Sequence, residues 1–248
     1  MPFAQNQPRA AAVPGVRSQR RLFFGAAGLL VAGEAIFWVV LAAVQSNTGP
    51  AGLDGPVQDG LRSARNPLAT AALTAVTAAA SPFWMCVIGG VLALGWAAWT
   101  REVWRPALLA AAMAVTYGLS TFIAHQVARA RPPAGDFLPG PGDALSFPSG
   151  HTFSAGVFLL VLAYLLVARK AQHPTAVLAF TGAAAGTVVV AIGDLYLGEH
   201  WLTDVIAALG LAVAVVGIII LADGLRESGR ASPDSPDSPD VPATPERA

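Results

Sequence analysis

The chain has 248 residues, of which 54% are apolar and only 12% charged, about half the charged share of an ordinary soluble domain (about 25%). With a mean hydropathy of +0.57, that composition places most of the chain in lipid rather than water. A net charge of zero supplies no basic field for nucleic acid, and the single cysteine, Cys86, excludes an internal disulfide.

Residues 1–21 are polar and proline-containing and are expected to form a disordered N-terminus. A membrane domain is expected over 22–223. A helix needs about 20 apolar residues to cross a bilayer. The runs at 22–45, 83–100, 106–127, 151–167, 175–192 and 201–222 meet or approach this length. The expected fold is therefore all-α, a six-transmembrane helical bundle. The segment 53–80 differs: its first half carries Asp54, Asp59, Arg62 and Arg65, and its second half is rich in Ala and Thr. It reads as an interfacial helix that turns into the second span near Ser81-Pro82, the alternative being the early part of one long tilted span. Glu34 is an unexplained charge within the first span. Residues 224–248 repeat Ser-Pro-Asp, and such a tail cannot repay its ordering entropy, so it is expected to be disordered.

The basic residues orient the bundle. With the N-terminus cytoplasmic, Arg9, Arg17, Arg20, Arg21, Arg101, Arg105, Arg169, Lys170, Arg226, Arg230 and Arg247 lie inside, and only Arg62, Arg65, Arg129 and Arg131 lie outside. This eleven-to-four split satisfies the positive-inside bias. It predicts a plasma-membrane protein with both termini in the cytoplasm.

In this orientation three of the four histidines, His125, His151 and His200, fall at the outer ends of spans. Pro148-Ser149-Gly150-His151 opens the fourth span. Free backbone N–H groups and the helix dipole there favour an anion, and glycine lets it approach closely; the plainer reading is an N-cap followed by an interfacial histidine. His200 and Asp204 are spaced i, i+4, which on one helix face would let the carboxylate fix the imidazole tautomer and free its other nitrogen. A structural hydrogen bond is the plainer reading of that pair. Arg129 and Arg131 follow the third span, and guanidinium suits phosphate or a lipid headgroup.

Taken in order, these segments resemble the type-2 phosphatidic acid phosphatase family, which shares its core fold with vanadium-dependent haloperoxidases. The family pattern is a lysine, six residues and Arg-Pro; then Pro-Ser-Gly-His; then Ser-Arg, five residues, His, three residues and Asp. Arg131-Pro132 matches the end of the first motif, Pro148-Ser149-Gly150-His151 the whole of the second, and His200 with Asp204 the end of the third. The family lysine falls on Ala124, and the Ser-Arg pair falls on Gly193-Asp194, so two cations that hold phosphate oxygens are missing.

The resemblance implies a lipid phosphatase acting on a lipid phosphomonoester or diphosphate at the outer face. His200 would be the nucleophile, Asp204 its orienting carboxylate and His151 the general acid. Arg131, Ser149, Gly150 and Arg129 would bind phosphate. The expected partners are the lipid phosphate substrate and the bilayer, with no cofactor and no metal in the motif set; Asp194 with Glu199 is the one place where a metal would restore the missing positive charge. The loop 132–146, with Asp136 and Asp143, is expected to shape the entrance. Ala124 and Asp194 keep two alternatives open, an inert member that binds lipid phosphate and a phosphotransferase. A transporter is disfavoured by the few polar residues within the spans.

Overall fold

Each apolar run of the sequence becomes a helix whose ends are set by local chemistry. The structure, a computed structural model, describes residues 16–133, 145–168 and 173–231. Helix α1 spans Val16–Ser46, and a 3-10 turn over Gly49–Leu53 leads into α2, Asp54–Ser63. Then follow α3 (Pro67–Ala79), α4 (Pro82–Thr100), α5 (Trp104–Val127), α6 (Gly150–Val167), α7 (His173–Leu197) and α8 (Leu202–Ala231). Among the described residues there is no strand, only an isolated antiparallel bridge between Ala130 and Leu145.

Six of these helices, all but α2 and α3, are long and apolar enough to cross a membrane, so the chain is a multi-pass membrane protein. Its outward faces carry Phe24, Leu94, Trp99 and Leu178, all largely exposed, as lipid contact requires. Helices α6 and α8 are central: 61% of the apolar window of each is buried, against 17% for α4. Their inward faces, through Phe153, Val157, Val161 and Leu165 on α6 and Leu211 and Val215 on α8, join Leu109 and Met113 of α5 in one core.

Helices α1 and α8 approach at backbone distance because small residues line their seam. A Cβ on Gly33 would lie 2.6 Å from the Ala214 nitrogen and closer still to the Gly210 carbonyl, and one on Gly217 would lie 2.7 Å from the Ala26 carbonyl. In lipid, where no hydrophobic force drives helices together, such close packing is a main source of association. At the far end from the site, Asp223 ties α5, α6 and α8 together. It accepts from Trp104 Nε1 at 2.9 Å and Tyr164 Oη at 3.2 Å, and pairs with Arg105 at 3.3 Å.

The segment 53–80 forms two short helices rather than one. The break falls where Asn66 caps α3, its side chain accepting from Ala69 N–H at 2.9 Å, with Pro67 at the first helical position. Ser81-Pro82 makes the same kind of start for α4. Helix α7 runs five residues past the expected end at 192, to Leu197, so Asp194 belongs to a helix and not to a loop. Of the tails expected to be disordered, 1–21 and 224–248, residues 16–21 and 224–231 are instead helical, in α1 and α8; the rest of both tails, and Asp136 and Asp143 in the loop, lie outside the described residues.

Candidate functional site

The chemistry-bearing segments meet at the end of the bundle where α1, α5 and α7 finish and α6 and α8 begin. Helix α7 closes in a Schellman motif, with Gly198 N–H bonded to the Leu195 carbonyl and Glu199 N–H to the Asp194 carbonyl, both at 3.1 Å. Gly198 has φ of +80°, and a Cβ there would lie 2.7 Å from Arg65 Nη2, so both backbone and space demand glycine. Arg65 Nε donates to the Tyr196 carbonyl at 2.8 Å, and the Tyr196 hydroxyl accepts from Asn66 N–H at 2.7 Å. The α2–α3 pair thus clamps the turn that presents Glu199 and His200.

The His151 and His200 rings lie 6.1 Å apart, centroid to centroid, nearly edge to face at 72°. They share an open pocket of about 410 Å³, lined also by Arg131, Gly150, Ala124, His125, Tyr117 and Pro82. His200 Nδ1 lies 2.8 Å from the Ser146 carbonyl. A carbonyl only accepts, so Nδ1 carries the proton and Nε2 is the unprotonated nitrogen of the neutral ring. Burial pushes the His200 imidazole down, but the Asp204 and Asp194 carboxylates outweigh burial and the Arg131 guanidinium. They hold its pKa above the ordinary histidine value.

Asp204 does not reach His200 in the way the i, i+4 spacing suggested. His200 precedes α8 rather than riding on it, and its Nδ1 is 3.8 Å from Asp204 Oδ2. That oxygen instead accepts from Ser146 Oγ and from Trp201 N–H, the latter at 2.8 Å, so it closes the first turn of α8 in capping-box fashion. Asp204 acts on His200 through Ser146, whose hydroxyl it holds while the Ser146 carbonyl holds the ring.

Arg129 lies behind the pocket. It donates to Asp204 Oδ1 at 2.5 Å, Thr203 Oγ1 at 2.7 Å and Asp54 Oδ2 at 2.6 Å, and its guanidinium lies 5.5 Å from the Trp201 ring centroid. Of the two arginines, only Arg131 lines the pocket. Asp54 was not singled out from the sequence: it is buried and also accepts from Thr203 N–H at 2.9 Å and from Thr203 Oγ1 at 2.7 Å. Ser149 is buried too. Its hydroxyl accepts from Thr152 N–H at 3.1 Å, as an N-cap, and donates to Asp194 Oδ2 at 2.5 Å. Gly150 stands at the pocket wall, where a Cβ would lie 2.8 Å from Pro82 Cγ.

Asp194 points inward. It is fully buried, accepts from Thr152 Oγ1 at 2.7 Å besides Ser149, and sets Oδ1 3.4 Å from His151 Nδ1. Its neighbour Gly193 faces α3, where a Cβ would lie 2.7 Å from Thr77 Cγ2. Glu199 Oε2 lies 3.7 Å from the same His151 nitrogen. The arrangement offers an imidazole nitrogen with a free lone pair, a second imidazole across a gap, one guanidinium and two carboxylates.

Comparison with known proteins agrees with the motifs. The family model described as PAP2 superfamily matches residues 105–226. The chain is 25% identical to phosphatidylglycerophosphatase B of Bacillus subtilis (strain 168) over 188 residues, covering 74% of this chain and 90% of that protein. Its fold matches the crystal structure of a transmembrane PAP2-type phosphatidylglycerolphosphate phosphatase from Bacillus subtilis. There the TM-score is 0.68 at 21% identity, over 77% of this chain and 96% of the other. The matched span takes in His151 on α6 and His200 between α7 and α8, and residues 105–226 of this membrane protein belong to the PAP2 superfamily.

Proposed function

We propose that the protein is a membrane lipid phosphatase that hydrolyses a lipid phosphomonoester or diphosphate through a phosphohistidine. The observation that carries this reading is the pair of imidazoles, 6.1 Å apart, with the backbone-held tautomer that leaves His200 Nε2 unprotonated. His200 Nε2 attacks phosphorus and the bond to the lipid oxygen breaks. His151 gives that oxygen its proton, then takes one from the water that cleaves the P–N bond and releases phosphate. Arg131 and the Gly150 N–H hold phosphoryl oxygens as charge builds on them. Asp204 is a positioning residue, acting through Ser146.

The named activity of the Bacillus relative supports a lipid phosphomonoester as the substrate class. Its head sits in the pocket and its chains lie in the bilayer. The positive-inside count supports a pocket at the extracytoplasmic face of the plasma membrane with both termini in the cytoplasm.

Detergent-purified protein, offered phosphatidylglycerophosphate, phosphatidate and a polyprenyl diphosphate, releases inorganic phosphate from at least one. His200→Ala removes that release by about a thousandfold or more. Release that survives in His200→Ala would contradict the mechanism. A second reading is favoured by Ala124 and the inward Asp194, which leave the pocket short of cations: a member that binds lipid phosphate without turning it over. No release from any lipid, with saturable binding of one of them, would select it.

A further inference from the structure

We propose that His151, Asp194 and Glu199 hold a divalent metal ion, zinc by preference, which supplies the positive charge that the pocket otherwise lacks. Four observations converge. Asp194 is fully buried, yet its Oδ1 makes no hydrogen bond among the described residues. His151 Nδ1 is likewise buried and makes no hydrogen bond among the described residues. Buried polar atoms are rarely left so, and each such atom needs a partner or an ion. The two atoms face each other at 3.4 Å, and Glu199 Oε2 lies 3.7 Å from the same nitrogen. Ligands at about 2.0–2.1 Å from a tetrahedral zinc stand about 3.3 Å apart, so small side-chain shifts would seat the ion.

The donor set is one imidazole and two carboxylates, with a histidine, His200, as the fourth member of the cluster. Three protein ligands with one open position is the pattern of a catalytic rather than a structural zinc site. Charge gives the fourth observation. Arg131 brings one positive charge to the pocket wall, while Asp194 and Glu199 set two carboxylates beside its histidines, His151 and His200. Such a net negative field disfavours a phosphate. A divalent ion reverses its sign and offers the open position to a phosphoryl oxygen, polarising it as a Lewis acid. His151 would then be a ligand through Nδ1, with its Nε2 left to give the leaving oxygen its proton.

The proposal deepens the phosphatase reading, and rests on it only for what the ion does. Full-length protein in detergent, with any histidine tag removed, is treated with EDTA, dialysed and titrated with Co²⁺, read by visible absorption, then with Zn²⁺ by calorimetry. One equivalent binds, the cobalt bands appear and zinc abolishes them. Glu199→Gln, at a partly exposed position, and Asp194→Asn each weaken binding by at least about tenfold. The Glu199→Gln protein, checked by size-exclusion chromatography, keeps the test valid if Asp194→Asn does not fold.

Absence of stoichiometric cobalt uptake, or uptake that Glu199→Gln leaves unchanged, overturns the proposal. So does phosphate release that is undiminished in EDTA, an outcome that leaves the phosphatase reading standing. Metal uptake without phosphate release from any lipid has the opposite meaning: the ion site holds and the phosphatase reading falls.

Discussion

Replacing Arg129 by glutamine should damage stability far more than it damages phosphate binding. Both terminal nitrogens of Arg129 are engaged, at 2.5 Å with Asp204 and 2.6 Å with Asp54, and those carboxylates are 0% and 6% exposed. Arg129 itself is only 18% exposed, so solvent screens the pairs weakly. Removing one partner of a buried ion pair costs about 3–5 kcal/mol, because a charge is left buried without compensation. Here one cation serves two carboxylates, which favours the upper part of that range. At about 2–4 °C per kcal/mol for a chain of this size, the midpoint of thermal unfolding in detergent should fall by about 6–20 °C.

The control is Arg131→Gln. Arg131 lines the pocket, and its Nε makes no hydrogen bond among the described residues. This variant should melt within about 2 °C of the parent, since Arg131 holds no ion pair among the described residues and changes away from such networks are worth about 0.5 kcal/mol or less. It should nonetheless lose at least about tenfold in kcat/KM, the loss of a charge-assisted bond to phosphate of about 1.5–3 kcal/mol. Differential scanning fluorimetry and phosphate-release kinetics on the two variants separate the roles. The reasoning fails if Arg129→Gln melts like the parent while its KM rises as a phosphate ligand's would.

Other expectations follow from the same geometry. The neutral form of His200 is the nucleophile and its pKa is raised, so activity should climb with pH through a midpoint above about 6.5. Asp204→Asn removes one of the carboxylates responsible, and the midpoint of the residual activity should move to lower pH; a midpoint that stays put would refute the assignment. Gly33→Val forces a side chain into the α8 backbone, and should lower the melting midpoint by an overpacking cost of about 1–3 kcal/mol or more, read by the same fluorimetry. Gly198→Ala combines a positive φ with a clash against Arg65. It should destabilise by about 1 kcal/mol or more and lower kcat, because the turn it strains carries His200.

The spans were legible because lipid imposes a simple one-dimensional rule on sequence: the runs 83–100, 106–127 and 151–167 fell within two residues of their helices, while α1 begins six residues earlier than its run, α7 ends five later and α8 nine later. Caps explain where ends were also legible: Ser81 and Ser149 each accept from a first-turn N–H, whereas the break that Asn66 caps inside 53–80 was not read. The histidine pair was legible through its motifs. What stayed hidden lies in contacts between distant residues. Asp54 meets Thr203 across 149 positions, and nothing in a charged, short, amphipathic segment signals a buried partner so far away.

The His200 and Asp204 spacing brings the two side chains to 3.8 Å, but not on one helix face, because α8 begins at Leu202. The Ser146 carbonyl, a main-chain atom with no side-chain signature, takes the imidazole proton instead. Arg129 and Arg131 look alike in sequence, but the chain turns between them. Ser146 N–H bonds the Arg129 carbonyl at 2.8 Å, which pins the loop's two ends together and leaves Arg131 at the pocket. The direction of Asp194 depended on α7 continuing past residue 192, which hydropathy alone did not require.

A covalent phosphohistidine is the species on which the catalytic reading turns. Protein mixed with ³²P-labelled lipid phosphate and quenched within milliseconds in alkali should carry label that is stable to base, lost in acid, and mapped by mass spectrometry to the peptide containing His200. Label on His151 or on a carboxylate, or no label while phosphate is released in a burst, would contradict it.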